Sequence, residues 1–120
     1  MNALNIKVVG DIRTGKFQPS LTGNPIVDDA LLENFCLNLR DRLVANQINL
    51  PVKPDHFFTT IAENDDIILM DEEITQYFSN EQMPNLRLIQ VNHNDLIHGD
   101  VSTISQKIFN LIKQKLQGVE

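Results

Sequence analysis

An apolar run, Val8-Val9, leads into Gly10, and four residues later comes Gly15-Lys16. Glycines at that spacing let a loop turn its backbone N–H groups toward phosphate oxygens, and the lysine reaches the outer phosphates. Phe17 stands where a hydroxyl is needed to hold a metal ion, while Arg13 adds a second cation to the loop. A second group is acidic. Ile67 to Met70 run directly into Asp71-Glu72-Glu73, and Asp11 follows the first apolar run. Carboxylates at the ends of two neighbouring strands can hold Mg²⁺, a hard cation that takes oxygen ligands. The third group is His93 and His98, which share one polar stretch with Asp95 and Asp100. Imidazoles and carboxylates in one loop can bind a metal or move a proton, although any polar loop with histidines has that capacity. Cys36, the single thiol, follows Phe35 in an apolar pattern and reads as a small hydrophobe. No serine stands in a nucleophile-elbow context.

The elements that must position these groups follow from periodicity. Leu4, Ile6 and Val8 alternate with polar residues and predict a strand over 4–9. Residues 10–25 hold three of the five glycines and two of the five prolines, so they form a long loop. A helix is expected from about 25 to 46, with Asn24 as cap, Pro25 at its first position and Asp28 and Asp29 in its first turn. Val27, Leu31, Phe35, Leu39 and Leu43 form its apolar stripe, widened by Ala30 and Leu32. The two prolines of "LPVKP", 50–54, close this unit, and "HFFTT", 56–60, is a short strand candidate. The unbroken apolar run 67–70 between acids predicts a central parallel strand, buried on both faces. A short helix with Ile74, Tyr77 and Phe78 on one face follows, then a strand over 86–91, a loop over 92–100 and a helix over 102–117. In the loop, Gly99 supplies a positive φ and Asp100 or Ser102 caps the last helix.

Bulk composition narrows the function. A chain of 120 residues with 42% apolar and 22% charged residues is one domain with a real core. Ten basic residues against sixteen acidic ones give a net charge of −6, and only "KQK" at 113–115 is locally basic. Sequence-independent binding to nucleic acid needs clustered Lys and Arg, so nucleic acid is not an expected partner. No long apolar run predicts a membrane span, and no secretory leader is visible at the N-terminus. One cysteine allows no internal disulfide, which makes the cytoplasm the expected compartment.

Several short stretches resemble known families. "VVGDIRTGKF" resembles the Walker A loop of P-loop NTPases, and "IILMDE", 67–72, resembles their Walker B strand. Phe17 departs from that pattern, and Pro19, Gly23 and Pro25 delay the helix that should open at Lys16. "DDIILMDEE" is similar to the third strand of response-regulator receiver domains. That resemblance implies Asp71 as phosphoacceptor and Asp11 as a Mg²⁺ ligand, although the family's second helix and its lysine-bearing fifth strand have no counterpart. The alternative for Asp71 is a helix cap, with Glu72 and Glu73 in the first turn. The layout of the second half, with "TGNPIVDDALL" at 22–32, is similar to low-molecular-weight tyrosine phosphatases. Their reactive Cys and phosphate-gripping Arg fall on Leu21 and Val27, so neither is present. "DLIHGDV", 95–101, resembles the stretch around the phosphorylated His of mannose-type phosphotransferase IIB domains, which implies His98 as a phosphocarrier.

These observations converge on a single α/β domain over residues 1–120, a three-layer sandwich with a mostly parallel sheet of four to five strands, flavodoxin-like or receiver-like in topology. Ligands of such folds bind beyond the C-terminal ends of the strands. That edge gathers Asp11, Arg13, Lys16, Asp71, His93 and His98, with Asp11 and Asp71 the pair for Mg²⁺. Each catalytic pattern lacks its working residue, so the expected function is a non-enzymatic binding or regulatory module, a subunit of a larger assembly. Its expected partner is another protein or a second copy of the chain, and no cofactor is required. The alternative is a phosphate-handling protein that uses the same edge.

Overall fold

A computed structural model describes residues 5–57, 67–77 and 87–117. The elements are β1 (Ile6–Val9), α1 (Pro25–Ala45), β2 (Val52–Pro54), β3 (Ile67–Asp71), α2 (Glu72–Thr75), β4 (Arg87–Val91), α3 (His93–His98) and α4 (Ser102–Gln117). The four strands form one sheet in the order β2-β1-β3-β4, and every pairing is parallel. The architecture is an α/β sandwich.

Alternation along the strands divides the core in two. Ile6, Val8, Ile67, Leu69 and Val91 face one side, where they meet Leu32, Phe35, Leu39 and Leu43 of α1, Leu96 of α3 and Ile104 and Ile108 of α4. Val9, Ile68 and Met70 face the other side, together with Ile12 and with Ile74 of α2. The run 67–71 is buried at every position and lies between β1 and β4, as its unbroken apolar composition predicts. Gly10 belongs to this packing. A Cβ there would come 2.5 Å from Cδ2 of Leu32, a fully buried side chain that would have to shift to admit it.

Helix α1 starts where its signals place it. Oδ1 of Asn24 accepts from the N–H groups of Ile26 (3.0 Å) and Val27 (3.3 Å), and Pro25 occupies the first position. The buried stripe runs through Asp28, Leu32, Phe35, Cys36, Leu39 and Leu43, whereas Val27 and Ala30 are exposed. The expected stripe is therefore rotated at its start. Asp28 takes the inward position because its carboxylate has hydrogen-bond partners there.

Three further expectations are corrected. The second strand is Val52–Pro54, not 56–60; His56 and Phe57 form a bend, and 58–60 lie outside the described residues. Pro54 is tolerated because β2 pairs only with β1, leaving its other side free of ladder bonds among the described residues. The stretch 92–100 is not a loop throughout. Asn92 accepts from the N–H groups of Asn94 and Asp95, six residues turn helical as α3, and Gly99 (φ 69°) closes it in the left-handed conformation. Finally, α2 buries Ile74 but leaves Tyr77, just past its end, 60% exposed, and Phe78 lies outside the described residues. Among the described residues no helix is long and apolar enough to cross a membrane.

Candidate functional site

The strand order creates a crevice. From β1 the chain crosses to β2 on one side and then returns to β3 on the other side of β1, so the connections leave the C-terminal ends of β1 and β3 in opposite directions. Ligands of open parallel sheets bind outside such a switch point. Asp11 lies two residues beyond β1, Asp71 ends β3, His56 lies two residues beyond β2, and His93 lies two residues beyond β4.

The four groups form two acid–base pairs. Nδ1 of His56 lies 2.5 Å from Oδ1 of buried Asp11, and its Nε2 lies 3.3 Å from Oδ1 of Asp29. Nε of Arg13 donates to Oδ2 of Asp11 at 2.9 Å, and Nη2 donates to Oδ1 of Asp29 at 2.6 Å. Two carboxylates and two bases thus close a ring that ties the end of β1 to the start of α1 and the end of β2. The hydrogen bond to Asp29 leads the effects that hold the Arg13 guanidinium above its ordinary pKa. Backbone bonds reinforce the ring: Arg13 N–H donates to the His56 carbonyl at 2.7 Å, and Ile12 N–H to the Pro19 carbonyl at 3.0 Å.

On the other side of the crevice, Nδ1 of His93 lies 2.6 Å from Oδ2 of Asp71, which is 1% exposed. Oδ1 of Asp71 accepts from the Glu73 N–H at 2.9 Å, so Asp71 is also the cap of α2. The capping role expected of it is present, and its second oxygen holds an imidazole. Nε2 of His93 has no hydrogen-bond partner among the described residues.

The loop over 10–24 does not open into a helix at Lys16; regular structure resumes only at Pro25. Lys16 is exposed and enters no hydrogen bond or ion pair among the described residues. Phe17 beside it reaches across to the turn after α2, with its ring centroid 4.6 Å from that of Tyr77. The glycine-rich end of the loop is folded onto α1 by Asp28. This carboxylate accepts from Ser20 Oγ (2.6 Å), Leu21 N–H (3.2 Å), Thr22 N–H (2.9 Å) and Thr22 Oγ1 (2.5 Å). Burial alone raises its pKa, but the hydrogen bonds from Ser20, Thr22 and Leu21 outweigh burial and hold it below the ordinary 3.8. The N–H groups of Leu21 and Thr22, in the loop just before α1, are therefore already taken by the chain's own carboxylate.

His98 and Lys16 do not join the other candidates. His98 lies at the opposite end of α3 from His93, next to Gly99, whose carbonyl accepts from Nδ2 of Asn38 on α1 at 3.0 Å. Asp11 and Asp71 end neighbouring strands, but each is paired with its own histidine. Among the described residues no group of three or more His, Cys, Asp or Glu is arranged to hold a metal ion. Cys36 faces the core, where burial pushes its thiol up to about 12, far from thiolate chemistry at neutral pH.

His56, Asp28 and Asp29 are the members that reading the sequence leaves out of the site. The signal for His56 is its place just after a proline-ended edge strand, which becomes visible only once β2 is located at 52–54. No family model matches the chain, and neither the curated proteins nor the solved structures include a significant match.

Proposed function

We propose that the chain is a non-enzymatic binding or regulatory module that docks on another protein through the C-terminal edge of its sheet. The observation that carries this reading is the Phe17–Tyr77 pair. Two aromatic rings from separate segments pack at 4.6 Å yet stay 40% and 60% exposed. Phe57, beside His56, is 63% exposed. Rigid aromatic anchors on a surface supply most of the energy of protein interfaces.

The polar groups around these rings support the same reading. Asp11, Asp28 and Asp71 are buried and fully engaged with neighbouring side chains and backbone, and no buried side-chain nitrogen or oxygen among the described residues lacks a partner. Groups that satisfy one another build a rigid platform rather than a set of hands waiting for a substrate. The exposed Glu72 and Glu73 give the platform a negative rim, which favours a partner with a basic face.

The test compares the wild-type chain with the double variant Phe17→Ala, Tyr77→Ala and with Leu37→Ala, an exposed position on α1. Each is tagged in its native cell, crosslinked and analysed by quantitative mass spectrometry, and the enriched protein is then purified for a direct titration. The expected result is a partner whose affinity falls about tenfold or more in the double variant, a loss of ~1.4 kcal/mol or more, and stays constant in Leu37→Ala. Equal affinity for all three chains, at equal melting midpoints, defeats the docking reading. A wild-type chain that binds only itself replaces the partner with a second copy.

A further inference from the structure

One ring nitrogen at this edge has no partner among the described residues, and it lies on the imidazole that is best prepared to react. We infer that Nε2 of His93 is a phosphoryl-acceptor atom, a histidine modification site that takes its group from an N-phosphoryl donor. This goes beyond the docking reading and does not depend on it. In the neutral ring, an Nδ1 that faces a carboxylate oxygen at 2.6 Å is the nitrogen that carries the proton and donates it to Asp71. The tautomer so fixed leaves the lone pair on Nε2. Asp71 cannot turn away, because its other oxygen caps α2 and its side chain is buried.

The chemistry follows from what surrounds the pair. Cys36 is in the core, and no hydroxyl hydrogen-bonds to His93 among the described residues, so the imidazole has no side-chain nucleophile to activate there and acts as the nucleophile itself. The Nε2 lone pair forms the new N–P bond, the P–N bond of the donor breaks, and its electron pair leaves with the amine. The ring, still protonated at Nδ1, then carries a positive charge directly opposite the Asp71 carboxylate, which stabilises it as a buried carboxylate stabilises an imidazolium in a catalytic triad. The acids Glu72 and Glu73 select against dianionic donors. They favour one whose leaving group is positively charged, such as phosphoramidate, which departs as ammonia.

The experiment incubates the purified full chain with potassium phosphoramidate at neutral pH and follows acid-labile phosphorylation at each histidine by peptide mapping. His98, exposed and at the far end of the same helix, is the internal reference for chemical reactivity. His93 is expected to react about tenfold faster than His98, and Asp71→Asn, which can still cap α2, to remove that advantage. His93→Gln abolishes the fast phase. Equal rates at His93 and His98, or an undiminished rate in Asp71→Asn, overturns the inference. Nitrogen NMR of the wild-type imidazole provides a measurement free of variants: Nδ1 protonated and Nε2 bare is expected, and the opposite tautomer overturns it.

Discussion

Asp28 shows how one side chain can decide the shape of a loop. Its carboxylate takes four hydrogen bonds from residues 20–22, each shorter than 3.3 Å. Because its folded pKa lies below the ordinary 3.8, the unfolded chain binds more protons between the two values. The stability it contributes is complete above the ordinary value and is lost as pH falls through the folded one. Thermal midpoints measured in acid should therefore drop below about pH 4 in the wild type. Asp28→Asn should shed part of that dependence and lower stability at neutral pH by about 1–3 kcal/mol, because it disturbs buried donors. A wild-type midpoint that stays level between pH 5 and pH 3, or a variant that matches the wild type at neutral pH, contradicts this role. The sequence shows Asp28 as a first-turn acid suited to a helix dipole. It does not show that the residue is buried, since the donors come from a loop whose path cannot be read from spacing.

At the level of elements, the two ends of α1 make opposite demands. Asn24 at the start satisfies two N–H groups, and Asn24→Ala should cost about 0.5–2 kcal/mol, read as a shift in the denaturation midpoint. The far end closes through bonds from Gln47 N–H to the Val44 carbonyl and from Ile48 N–H to the Leu43 carbonyl, with Ile48 packed against the core. That is a Schellman closure, and the residue in its left-handed position is Gln47, at φ 65°. Glutamine is strained there and glycine is not. Gln47→Gly should stabilise the chain by roughly 0.5–1 kcal/mol, whereas glycine at an ordinary exposed position lowers stability. Unfolding curves for the two variants test both ends of one helix. The cap at Asn24 and the positive φ of Gly99 are legible in the sequence because both are local. Helix α3 is not, because its six residues carry too little periodicity, and its cap Asn92 reads equally well as a turn residue.

Across the whole molecule, β3 carries the fold. Leu69 is fully buried between sheet and helices, and Leu69→Ala should cost about 2–5 kcal/mol, measurable as a lower urea midpoint. An unchanged midpoint would place this strand outside the core. The four clearest features of the sequence, the run 67–70, the start of α1, the strand expected over 86–91 and the last helix, all concern local composition, and the structure has all four, the strand as Arg87–Val91. The site was only half legible. Asp11, Arg13, Asp71 and His93 could be named because strand ends in a parallel sheet share an edge. His56 and Asp29 could not, because their roles depend on where β2 ends and which way α1 turns.

The position of β1 also dictates how the chain must assemble. Ile6 pairs with Val52 on one side and with Ile67 on the other, so β1 lies inside the sheet between two strands that both come later in the chain. Its two rows of backbone N–H and C=O groups stay unpaired until both of those later segments are in place. Only β3 supplies a ladder on its second side, and β3 is then sealed by β4. Such non-local pairing of parallel strands slows folding, because loops must close before the contacts that reward the closure can form. Before β3 docks, β1 is flanked only by the three-residue β2, which leaves one of its backbone edges open.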